Sequence, residues 1–177
     1  MSPRTALPLY LEYALLGLIY QKPQYGYDIL QKWDKNLGVI WKVKPGWLYA
    51  ALNKLEKHGL LVSQLESGEN APDRKVFALT AEGEAAFLRW MRTPVLSPRE
   101  FRQEWFAKLF FFSELPRDAR RELYEGQTRA AESWLRQQSS HNYSGSAFEA
   151  LVRNFRTKQI QSILDYLNET KQSILEG

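Results

Sequence analysis

Three observations predict a mainly α-helical protein with one small β-hairpin. Apolar residues recur at helical spacing through most of the first sixty positions. Two runs suited to strands, Leu60 to Glu66 and Arg74 to Thr80, flank SGENAPD, a stretch dense in turn formers. After Pro94 and Pro98 the apolar pattern is helical only.

The first helix is predicted from the apolar run Leu7 to Tyr20, with Leu9, Leu11, Leu15, Leu16, Leu18 and Ile19, and it stops before Lys22-Pro23. Proline lacks an N–H and restricts the residue before it. The run is too short to span a bilayer, Glu12 interrupts it, and no small-residue cleavage site follows, so it reads as a buried helix and not as a targeting segment. A second helix follows Tyr25-Gly26-Tyr27, through Ile29, Leu30 and Trp33, and ends at Gly38. Residues 39–43 (VIWKV) are β-branched and aromatic, which predicts a short extended piece.

A third helix is bounded by Pro45-Gly46 and Gly59. Leu48, Leu52 and Leu55 form one face at i, i+4 and i+7. At ~1.5 Å per residue it is about 22 Å long. The two strands then make a hairpin with a long polar tip. Thr80 is a candidate N-cap for a fourth helix, with Glu82 and Glu84 placed where the helix dipole favours them. Three helices followed by a hairpin is the order of a winged helix-turn-helix domain, whose third helix enters the DNA major groove.

The prolines of TPVLSP (93–98) mark a boundary between residues 1–93 and 94–177. The second part reads as three helices. The first (99–112) has an apolar stripe of Phe101, Trp105, Phe106, Leu109 and Phe112. The second (117–139) turns Leu123, Tyr124, Ala131, Trp134 and Leu135 inward. A turn at His141 to Gly145 leads to the third (146–175). Its Phe148, Val152, Phe155, Ile163 and Leu167 form a coiled-coil-like seam with more apolar face than so small a domain can bury alone. That predicts a helical dimerisation domain, and a dimer interface at those five residues.

With 44% hydrophobic and 25% charged residues, the 177-residue chain is an ordinary soluble globular sequence of one or two small domains. It has no cysteine, which excludes disulfides and thiolate metal sites and fits a reducing cytoplasm. The net charge of +4 divides as +3 in residues 1–93 (12 Lys/Arg, 9 Asp/Glu) and +1 in residues 94–177 (12 and 11). The basic excess therefore lies with the third helix. An enzyme is not expected: the two histidines, His58 and His141, fall in different domains, the carboxylates are scattered, and neither a phosphate-cradling glycine loop nor H-E-x-x-H is present. No cofactor or metal is expected either.

If the three leucines face the core, Trp47, Ala50, Asn53, Lys54 and Lys57 face outward, with Tyr49 at the flank. Lysines neutralise phosphates and release counterions. Asn pairs with adenine and Lys with the guanine edge. Free N–H groups beside Pro45-Gly46 favour a phosphate. Arg74 and Lys75 add cations at the base of the wing. The predicted DNA-binding set is Lys44, Gly46, Trp47, Tyr49, Asn53, Lys54, Lys57, Arg74 and Lys75. A cluster of Trp90, Trp105, Phe106 and Phe110 is a candidate pocket for a planar aromatic ligand.

Six stretches follow one another along the chain: Leu15-Leu16-Gly17-Leu18, Tyr25-Gly26-Tyr27-Asp28-Ile29, Trp41 to Tyr49, Leu52-Asn53-Lys54-Leu55-Glu56, Gly59-Leu60-Leu61 and Arg74 to Gly83. In this order and at this spacing they resemble the PadR family of bacterial transcriptional regulators. The tail from Glu104-Trp105-Phe106 to Phe111 resembles the C-terminal domain of longer members. The resemblance implies a homodimeric repressor on a palindromic operator, and in some members a response to phenolic or other aromatic small molecules. Three positions depart from the family pattern: Trp47 replaces a small hydroxyl residue, Ala50 a frequent proline, and Phe77 a frequent tyrosine. The alternative reading is a winged-helix protein–protein interaction module with its DNA face altered at Trp47.

Overall fold

The computed structural model describes residues 9–68, 71–139 and 146–176. Contacts divide the chain into two units: residues 1–91 with 106–111, and residues 92–105 with 112–177. The linker after residue 93 is therefore not the whole division, because the end of the fifth helix groups with the first unit.

In the first unit, helix α1 (Leu9–Tyr20) is apolar on nearly every side and is buried accordingly, with Leu15, Leu16 and Ile19 almost fully enclosed. Residues 7 and 8 of the predicted run lie outside the described residues. Next comes a two-residue strand β1 (Gln24–Tyr25), then helix α2 (Gly26–Lys32). α2 continues into a π-helical turn, Trp33–Leu37, closed by the Gly38 N–H donating to the Trp33 carbonyl at 2.9 Å. The extended piece predicted at residues 39–43 does not form. Ile40 and Trp41 both donate backbone N–H groups to the Leu37 carbonyl at 2.9 Å, so the chain turns. Trp41 instead fills the core, stacked on Tyr10 with centroids 5.7 Å apart and lying 5.9 Å from Trp33. Its bulk serves packing, and among the described residues it pairs with no strand.

Helix α3 (Pro45–Lys57) buries Leu48, Ala51, Leu52 and Leu55. Gly59 ends it at φ +73, where a side chain is strained. Leu60 N–H donates to the Leu55 carbonyl and Gly59 N–H to Glu56, the paired bonds of a Schellman stop. Strands β2 (Leu61–Gly68) and β3 (Ala71–Leu79) form the hairpin. Its arms reach much further into SGENAPD than predicted, leaving only positions 69 and 70 between them, outside the described residues. The sheet order is β1-β3-β2, all antiparallel, with Gln24 opposite Phe77 and Leu61 opposite Leu79. Thr80 caps helix α4 (Ala81–Arg92) as expected: its Oγ1 accepts from Gly83 N–H at 3.0 Å and donates to the Gly59 carbonyl at 2.7 Å.

Helix α5 (Pro98–Phe110) begins in the second unit. There Phe101 stacks on Trp105 at 5.8 Å, and Trp105 meets the Tyr124 ring edge-on at 5.7 Å. The predicted stripe is corrected in one place: Phe106 is exposed, while Lys108, two positions on, has no exposed surface. A short 3-10 turn (Phe112–Glu114) precedes α6 (Arg117–Ser139). Arg120 folds back onto it, donating to the Leu115 carbonyl at 2.8 Å and the Ser113 carbonyl at 3.1 Å. Gln127 of α6 accepts from the Val95 N–H at 2.7 Å, which ties the linker down.

Helix α7 (Ala147–Glu176) runs 30 residues, about 45 Å at 1.5 Å per residue. Ser146 and Glu149 make a reciprocal capping box at its start. The turn predicted at His141 to Gly145 lies outside the described residues. From Ile160 onward, Ile160, Ile163, Leu164 and Leu167 are buried, and Tyr124 of α6 donates its hydroxyl to the Leu167 carbonyl. Burial in this unit raises the Tyr124 pKa above that of a free phenol.

Candidate nucleic-acid interface

The core residues of α3 leave Gly46, Ala50, Asn53 and Lys57 on the opposite, exposed face, since residues advance about 100° each around a helix. Two flanks border this face. One carries Tyr49 and Glu56, on the side of the wing. The other carries Trp47 and Lys54.

On the wing side, Tyr49, Asn53, Arg74 and Lys75 line one cleft of about 540 Å³, floored by Gly26 and Phe77. Four of the predicted residues thus come together from α3 and β3. The Tyr49 ring lies so close to Gly26 that a methyl there would meet it at 2.6 Å. Tyr27, exposed at the same cleft, was missed by sequence reasoning, although the Tyr-Gly-Tyr stretch was noted. Lys75 Nζ donates to Glu56 Oε2 at 2.6 Å and sits 5.2 Å from the Phe77 ring centre. Ser63 donates to the other Glu56 oxygen. These bonds, that of Lys75 foremost, hold the Glu56 pKa below its ordinary value. Further along the strands, Tyr25 donates its hydroxyl to Glu66 at 2.6 Å, and the carboxylate raises the Tyr25 pKa.

The other flank departs from expectation. Trp47, predicted outward, is half-buried, its ring edge-on to Trp33 at 5.7 Å. Lys54, also predicted outward, donates to Glu12 of α1 at 2.7 Å. Lys44 is exposed at the N-cap, where its carbonyl accepts from Trp47 and Leu48. Among the described residues no group of acidic, histidine or cysteine side chains is placed to hold a metal ion. Among the described residues no helix is long and apolar enough to cross a membrane.

Residues 15–89, the span from α1 through most of α4, match the family model described as "Transcriptional regulator PadR-like family". The match covers 75 of the 177 residues, the helices and hairpin that carry the candidate interface. A curated relative, the negative transcriptional regulator PadR of Bacillus subtilis, is 27% identical over 125 residues, which is 71% of this chain and 69% of that one. A crystal structure of B. subtilis PadR with operator DNA is similar over 93% of this chain and 98% of its own, at 24% identity and TM-score 0.48. Another, of the same protein with p-coumaric acid, is similar over 95% and 99%, at 22% identity and TM-score 0.44.

The aromatic residues predicted as a ligand pocket fall in different units: Trp90, Phe106 and Phe110 in the first, Trp105 in the second. Trp90 is buried, stacked on Tyr13 at 5.8 Å, with the Lys108 ammonium 5.1 Å from its ring centre. Phe106 and Phe110 are exposed. The predicted dimer seam also divides. Phe148 and Phe155 are exposed and Val152 is half-buried. Ile163 and Leu167 face the core of their own unit, so they are corrected from interface to core residues. A periodic apolar stripe does not reveal which half of a long helix its own chain covers.

Proposed function

We propose that this PadR-like protein is a transcriptional repressor that binds a palindromic operator as a homodimer and is released by an aromatic small molecule. Residues 1–93 carry the DNA contacts and residues 94–177 the dimer contacts, in the cytoplasm. The observation that carries the reading is the exposed face of α3, Gly46, Ala50, Asn53 and Lys57, bordered by the cleft that Tyr49 and Arg74 both line. Asn53 is suited to adenine, Lys57 to guanine or a phosphate, and Ala50 to a thymine methyl. Lys44 and Arg74 take phosphates on either side. The sign of regulation follows the B. subtilis relative, a negative regulator. Phe148, Val152 and Phe155 form the pairing surface, and a second copy sets two recognition helices about 34 Å apart.

Selection of bound duplexes from a random pool tests this. The wild-type protein is expected to enrich a palindrome. Asn53→Ala is expected to relax preference at one position of each half-site, and Lys57→Ala to shift or weaken it. Absence of duplex binding in dilute salt overturns the reading in favour of a protein–protein interaction module. The effector part is tested by titrating p-coumaric acid into the operator complex; unchanged affinity and unchanged tryptophan emission exclude that class.

A further inference from the structure

We infer that Glu12 sets the strength of the proposed DNA contact by holding the Lys54 ammonium on the flank of α3, away from the duplex. This rests on the DNA-binding reading above and adds a residue that no recognition motif contains. The Glu12 side chain is only 13% exposed and lies in the first turn of α1, where the helix dipole favours a carboxylate. It is the fixed partner. Lys54, at 45% exposure and on a flexible stem, is the partner that is held, at 2.7 Å. Lys54 sits about 70° around the helix from the centre of the outward face, within reach of a phosphate once released. The pair is electrically neutral as it stands. It therefore contributes nothing to counterion release, and the cationic count of the face falls to Lys44, Lys57 and Arg74, because Lys75 is likewise held by Glu56.

The test measures operator affinity against salt for the full-length protein. Glu12→Gln frees Lys54. The log–log salt slope is expected to steepen by about 0.9 per protomer, with roughly three- to tenfold tighter binding in dilute salt. A merely structural role for Glu12 predicts the reverse, weaker binding. The double variant Glu12→Gln/Lys54→Gln replaces a neutral ion pair by a neutral amide pair, and its affinity and slope are expected to match the wild type. If the double variant loses as much as Lys57→Gln, Lys54 touches DNA in the wild type and the inference is overturned. An unchanged slope in Glu12→Gln overturns it as well. Wild-type protein without duplex affinity ends the DNA-binding reading itself, an outcome distinct from both.

Discussion

Lys75 and Glu56 meet at 2.6 Å across the joint between the wing and helix α3. With Ser63 on the other carboxylate oxygen, one side chain of α3 grips both strands of the hairpin. Glu56→Gln is expected to loosen the wing and weaken operator binding several-fold. The folded state lowers the Glu56 pKa from 4.5, so its stabilisation is fully present above 4.5. It is lost as the pH falls through the lowered folded value. Thermal unfolding of wild type and Glu56→Gln across pH checks the sign: the gap between them is widest near neutrality and closes in acid.

Thr80 is the second joint. Its hydroxyl caps α4 and binds the glycine that ends α3. Thr80→Ala removes both bonds and is expected to cost about 1 kcal/mol, read from urea unfolding. Thr80→Ser keeps the hydroxyl and is expected to recover most of the loss.

Gly83 lies against the Leu60 backbone carbonyl, in the place a side chain would occupy. A methyl there collides with backbone, which cannot swing away. Gly83→Ala is expected to destabilise the winged unit by about 1–3 kcal/mol despite the better helix propensity of alanine. A variant as stable as the wild type contradicts the close approach.

The two halves of α7 are expected to respond differently to truncation. Phe155 is 67% exposed and Leu167 fully buried. Phe155→Ser is expected to shift sedimentation towards monomer with little change in secondary structure. Leu167→Ala leaves a cavity in the second unit and is expected to cost about 2–5 kcal/mol of stability. Equal effects of the two on dimerisation exclude the proposed pairing surface.

Local chemistry made much of this fold readable. The leucines of α3, the stop at Gly59 and the cap at Thr80 are each signalled within a few residues of where they act. What was missed depends on distant partners. Strand β1 is two residues long and exists because Phe77 and Val76 lie opposite. The run VIWKV has strand-like composition but pairs with no strand among the described residues, and Trp41 goes to the core. At the candidate interface, Tyr49, Asn53, Arg74 and Lys75 were identified from spacing and order. The restraint on Lys54 was not, because Glu12 is 42 positions away in sequence. Charge type is visible in a sequence, but the counter-charge that holds it is a tertiary property.

The sheet order leaves β2 as an outer strand of eight residues, with Val62 and Leu65 exposed. An open strand border is a template onto which a further chain can hydrogen-bond. The irregular register between Glu66 and Gly68 twists the far end of this border and blunts it there. Among the described residues the pairing from Leu61 to Leu65 is regular, so this is the part of the border that a further strand would fit, and a lysine at position 62 or 65 is the substitution expected to disfavour it.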